Sequence, residues 1–237
     1  MIGLGTIINT ALIIFGGICG FFFGKRLSNR YQESLTIACG VSVLFIGISG
    51  TLEGMMKLEE NHLVSSQSMF IVLSLTLGAF IGEFLNIEGL FERFGEWLKI
   101  KSGNSKDKTF VEGFLTASFT VCIGAMAIVG AIQDGIFGDY SILATKGILD
   151  FIIIMIMTCS LGKGAAFSAI PVFVLQGTMT LLARFIQPLM NEISLMNLSM
   201  IGSILIFCVG LNLVWGKKVR VANLLPSLVF AVLFSFI

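Results

Sequence analysis

A lysine and an aspartate one helical turn apart, Lys146 and Asp150, lie within an otherwise apolar run from 142 to 161. Positions i and i+4 share a helix face, so the two side chains can pair. At 1.5 Å per residue, Asp150 sits about 12 Å into that helix, near the middle of a bilayer. A charge at that depth costs a few kcal/mol or more, so it needs a reason. Two readings stand side by side. The pair could neutralise itself and fix helix packing, or Asp150 could hold an ion or a proton under the control of Lys146.

Other carboxylates lie near helix ends. Glu83 follows Gly82 in the inner part of a third apolar run, where a long side chain can reach the surface. Asp134 and Asp139 bracket Gly135–Gly138, and carboxylates beside glycines can gather a cation as well as be solvated. Gln133, Ser160, Ser168, Gln176 and Asn223 are neutral groups able to line a polar path. Pro171 and Pro226 each remove a backbone donor inside an apolar run, freeing a carbonyl that lipid cannot satisfy. Catalysis has no evident basis. Gly47-Ile48-Ser49-Gly50 fits an intramembrane serine protease pattern, but the one histidine, His62, falls in a short gap outside the apolar runs. No phosphate-binding loop, cofactor motif or His/Cys metal spacing is present, and the five cysteines all sit in apolar runs as small packing residues.

The elements that must position these groups are membrane helices. Of 237 residues 56% are hydrophobic and 12% charged, with mean hydropathy +0.97. A soluble domain carries about 25% charged residues, so most of this surface must face lipid. A net charge of +1 gives no footing for nucleic acid. The sequence predicts an all-α bundle with helices near 3–23, 35–52, 69–87, 110–131, 142–161, 165–186, 198–215 and 219–237, paired as four hairpins. Twelve of the fifteen basic residues then fall in the odd-numbered gaps, which the positive-inside rule assigns to the cytoplasm. Both termini are expected outside.

The gap from 88 to 108 divides the chain into membrane halves, 1–100 and 101–237. Its stretch Leu90-Phe91-Glu92-Arg93-Phe94-Gly95-Glu96-Trp97-Leu98-Lys99 has helical apolar spacing. It reads either as an amphipathic helix on the cytoplasmic surface or as an extension of the third helix. Gly162-Lys163 followed by Ser168 and Pro171 parallels Gly216-Lys217 followed by Asn223 and Pro226. That parallel suggests an internal duplication of two hairpins. Gly16-xxx-Gly20-xxx-Gly24 and Gly78-xxx-Gly82 are small-residue faces suited to close helix contact.

The runs Leu77-Gly-Ala-Phe-Ile-Gly-Glu83, Gly124-Ala-Met, Asp134-Gly-xx-Gly-Asp139 continuing to Lys146 and Asp150-Phe, Ser160-Leu-Gly162, Ile170-Pro171 and Asn223-xx-Pro226 carry a resemblance. The chain resembles the YqgA-like family of uncharacterised bacterial inner-membrane proteins along nearly its whole length. The resemblance implies a bacterial plasma-membrane protein and carries over no site residue. Together these features lead to the expectation of a small secondary transporter or channel for an ion or metabolite. A two-fold homodimer in the bilayer is the expected assembly. The competing expectation is a membrane scaffold or accessory subunit whose polar groups only set helix register.

Overall fold

The structure, a computed structural model, describes residues 1–59, 62–65 and 67–236. The side chains of Lys57 and His62, and Ile237 at the end of the last expected helix, lie outside that description. The chain is dominated by helices: α1 (Leu4–Gly24), α2 (Asn29–Met55), α3 (Ser68–Leu85), α4 (Ile87–Lys101), α5 (Phe110–Cys122), α6 (Ala125–Phe137), α7 (Ser141–Leu161), α8 (Ala169–Leu181), α9 (Ala183–Ile186), α10 (Glu192–Trp215), α11 (Val221–Leu224) and α12 (Pro226–Leu233). The architecture is all-helical, as expected, with one addition. After α2 the chain forms a short antiparallel hairpin, β1 (Met56–Glu59) with β2 (His62–Ser65). Those eight residues are too few and too polar to extend a span, and pairing satisfies their backbone groups.

Among the described residues six segments are long and apolar enough to cross a membrane: Leu4–Gly24, Arg30–Met55, Ser68–Leu85, Ser141–Leu161, Lys163–Leu181 and Glu192–Trp215. The stretch expected as one helix over 110–131 is two, α5 and α6, bent by 61°. The break falls at Ile123, which is extended, and Gly124, whose φ of +151° few residues other than glycine adopt. The last helix is also divided, at Leu225 between α11 and α12. The expected helix over 165–186 begins as a 3-10 turn (Lys163–Ser168) before α8 and ends at Leu181.

Glycines set the packing, and each of the first three helices closes against a helix of the second half. A Cβ on Gly16, Gly20 or Gly24 of α1 would fall on the backbone of Phe151, Met155 or Cys159, so α1 and α7 run parallel in direct contact. Gly40, Gly47, Gly50 and Gly54 of α2 meet Val214, Phe207, Ser203 and Met200, so α2 and α10 are antiparallel. Gly78 and Gly82 of α3 meet Ser227 and the Asn223 carbonyl. These small faces let backbones approach and gain dispersion contact that lipid tails cannot match. The linker at 102–108 marks the midpoint of the sequence, while the packing pairs helices across it.

Two ends can be told apart. At one end Lys25 and Lys163 lie over the Phe21 ring, Lys163 donates to Asn104, Lys217 pairs with Glu92, and Arg220 pairs with Glu83. The four basic gaps therefore converge. At the other end Gly3 meets Asp134 of α6, and Ser235 hydrogen-bonds Ser194 at the start of α10. Both ends of the described chain lie there.

Candidate functional site

Lys146 and Asp150 are together and buried, at 7% and 3% exposure. The Lys146 ammonium is bonded to the Asp150 carboxylate. It also donates, at 2.8 Å, to the carbonyl of Val121. Val121 lies in the last turn of α5, whose final carbonyls lose their partners at the break before α6. The lysine thus fills a vacancy that the break between α5 and α6 creates, which in an apolar setting would otherwise cost several kcal/mol. From α1, the Asn9 side chain approaches Asp150.

Above this pair runs a buried polar column between α1, α8 and α6. Asn9 Nδ2 donates to Gln176 Oε1 (3.2 Å), and Thr6 Oγ1 meets Thr180 Oγ1 (3.4 Å). At its top the fully buried Asp134 accepts from the N–H groups of Gly3 (3.2 Å) and Gly5 (3.0 Å). A carboxylate at a helix N-terminus meets both free donors and the positive end of the helix dipole. Asn9 Oδ1 and Gln176 Nε2 find no partner among the described residues; neither do the buried hydroxyls of Thr158, Ser168 and Ser118 below.

On the basic end a cavity of about 510 Å³ opens between α2, α4, α5, α10 and the loop after α10. Glu88, Glu92, Glu96 and Glu112 line it, with Lys108 and Lys217. It climbs α5 past Leu115 to Phe119, which packs edge-on against Phe91 (5.3 Å between ring centres). Phe119 is two residues short of Val121, so the cavity ends beneath the Lys146–Asp150 pair without reaching it. Lys217 ties the rim together, at 3.0 Å from Glu88 and 2.5 Å from Glu92. Partial burial alone would pull its pKa down, but the hydrogen bonds it donates to Glu92 and Glu88 outweigh that and raise it.

The remaining sequence candidates divide. Gln176 and Asp134 join the column. Glu83 does not: it is half-exposed and pairs with Arg220 at 3.0 Å on the basic end. Asp139 is exposed and caps the start of α7, accepting from the Ser141 N–H at 3.0 Å, and the Ser141 bonds hold its carboxyl below the ordinary carboxylate range. Gln133 is half-buried, and Ser160 bonds the Ile156 carbonyl within its own helix. Ser168 and Asn223 occupy matched places, each three residues before a proline. Asn223 Oδ1 accepts from the Glu88 N–H (2.7 Å), and Glu88 Oε2 accepts from the Ala222 N–H (3.0 Å), so α4 and α11 cap each other. Among the described residues no group of three or more His, Cys, Asp or Glu could hold a metal ion.

Asn9, Glu88 and Asn212 went unseen in the sequence. Asn9 had a signal, since it is the lone asparagine of an apolar 21-residue helix. Asn212 Oδ1 accepts from the N–H groups of Lys218 and Val219 and so staples the loop after α10. Both it and Glu88 act on partners that only the folded chain brings near.

A family of proteins of unknown function, DUF554, matches residues 4–236. An uncharacterized membrane protein of Bacillus subtilis (strain 168), YdfK, is 32% identical over 234 residues, covering 98% of this chain and 96% of its own. The uncharacterized protein YqgA of Escherichia coli (strain K12) is 30% identical over 232 residues, covering 96% and 94%. No solved structure matches. With a family match over nearly its whole length and two relatives at 30% identity or more that cover it almost end to end, the chain belongs to the DUF554 family of proteins of unknown function.

Proposed function

We propose that the protein is a small secondary transporter or channel for an ion or small metabolite in the bacterial plasma membrane, not an enzyme. In this reading the chain crosses eight times, counting α5 with α6 as one crossing and α11 with α12 as another, with the basic end cytoplasmic and both termini outside. The observation that carries it is the Lys146–Asp150 pair at the break of a discontinuous span, with an acidic cavity leading up from the basic end. Broken helices near mid-membrane are tolerated where they line a path, and they mark the binding region of many transporters. The pair acts as a closed gate. To admit a charged or polar guest, Lys146 must release the Val121 carbonyl and Asp150, and the guest must replace those bonds.

The parallel between the hairpins α7–α8 and α10–α12, which we read as a duplication, fits the same reading. Gly162 (φ +87°, ψ −170°) and Gly216 (φ +76°, ψ 175°) share one backbone conformation. Each is followed by a short turn, a buried Ser168 or Asn223, and a proline in the first turn of the next helix. The second reading, a scaffold, is favoured by one observation: the cavity stops at Phe119 and the pair is almost wholly buried.

Solid-supported-membrane electrophysiology on reconstituted protein separates them. Jumps of pH, of monovalent and divalent cations, and of small carboxylates should give a transient current for at least one. Asp150→Asn should abolish it with the protein still folded, and Asp150→Asn with Lys146→Gln should not restore it. Wild-type current in the double variant would remove the site assignment. No current from any jump would leave the scaffold reading in place.

A further inference from the structure

Helix α4 is amphipathic in two directions at once. Placed at 100° per residue, Leu90, Phe94, Trp97 and Ile100 form one stripe, and Arg93 and Lys101 fall within it. The four apolar side chains stay exposed, at 56%, 38%, 52% and 64%. Glu88 and Glu92 look the other way, onto Lys217 and into the cavity, and Glu96 pairs with Lys99 at the flank. The outward stripe itself is thus apolar and cationic with no acid; Glu88 is buried behind it, while Glu92 and Glu96 border it beside Arg93, Trp97 and Ile100. It continues the exposed apolar surface of α3, where Phe80, Phe84 and Leu85 are 74%, 83% and 54% exposed. Asn86 makes the turn between them in the left-handed region (φ +48°), its side chain accepting from the Gly89 N–H.

From this segregation we infer that the outward face of α4 is a binding surface for anionic phospholipid headgroups. Apolar side chains enter the acyl boundary there, and the two cations meet phosphates at its edge. Because α4 also walls the acidic cavity, the same rigid helix has lipid on one side and the cavity mouth on the other.

The test uses the full chain with Trp215→Phe, which leaves Trp97 as the one tryptophan. In vesicles mixing phosphatidylglycerol with phosphatidylcholine, one lipid at a time carries bromine on its acyl chain. Brominated phosphatidylglycerol should quench Trp97 more than brominated phosphatidylcholine at equal mole fraction, with an enrichment of about fivefold per basic residue engaged. Arg93→Gln with Lys101→Gln should abolish the preference yet keep quenching by both lipids. Lys106→Gln, a charge change in the linker, should leave it intact. Equal quenching in the parent, quenching by neither lipid, or a preference that survives in the double variant would each overturn the proposal.

Discussion

Asp134 shows what a buried carboxylate can do without a basic partner. It closes the top of the polar column by accepting from two main-chain N–H groups at the start of α1. Replacing it with alanine leaves both donors unpaired in an apolar setting. Asp134→Ala should therefore destabilise the fold by about 1–3 kcal/mol, seen as a lower melting temperature in detergent. Asn should recover part of that loss. A second prediction concerns the rim. Lys217 holds its proton more tightly in the folded protein than in the unfolded chain. Its stabilising contribution is complete below the ordinary lysine value of 10.5 and lost as pH climbs through the raised one. The protection of amides in the first turn of α4, measured against their intrinsic exchange rate at each pH, should hold through neutral pH and fall only in strong alkali. Lys217→Met should lower that protection at every pH.

The glycine contacts decide what the helices tolerate. A methyl group on Gly82 or Gly20 would collide with the Asn223 or Met155 carbonyl, and backbone cannot yield as a side chain can. Gly82→Ala and Gly20→Ala should each cost about 1–3 kcal/mol of stability. Gly177 in α8 has nothing within 4 Å of where its Cβ would stand, so Gly177→Ala should be neutral or stabilising in the same melting assay. Much of this was legible beforehand. The Gly16-Gly20-Gly24 and Gly78-Gly82 faces, the i, i+4 ion pair and the amphipathic stretch at 90–99 are local patterns. The 61° break at Ile123 and Gly124 was not, because hydropathy records composition and is blind to a single backbone rotation. The β-hairpin was hidden for the opposite reason, as a few polar residues between spans carry no period. Nor could Asn9 be linked to Gln176 and Asp150, since those contacts span well over a hundred residues.

For the molecule as a whole, the convergence of the basic gaps makes a topological claim that can be checked in intact cells. A cysteine at exposed Asp139, at the end holding both termini, should react with a membrane-impermeant maleimide. One at exposed Ser105, in the linker at the basic end, should react only after permeabilisation. The reverse pattern would invert the orientation, and labelling of both in intact cells would end the two-sided arrangement.

The lysine that reaches from α7 to the Val121 carbonyl also sets a timetable for biosynthesis. A ribosome makes α5 and α6 before residue 146 exists, so for some two dozen residues the break between them has no group of its own to cover that carbonyl. The helices made first have the longest wait, since α1 closes on α7 and α2 on α10. Nascent α1, α2 and α5–α6 must therefore linger beside the insertion machinery, or in contact with a holding chaperone, until the later helices arrive. Chains arrested before α7 should be crosslinked to that machinery and degraded when released. Chains arrested once α7 has entered the bilayer should have the α5–α6 break covered and begin to survive.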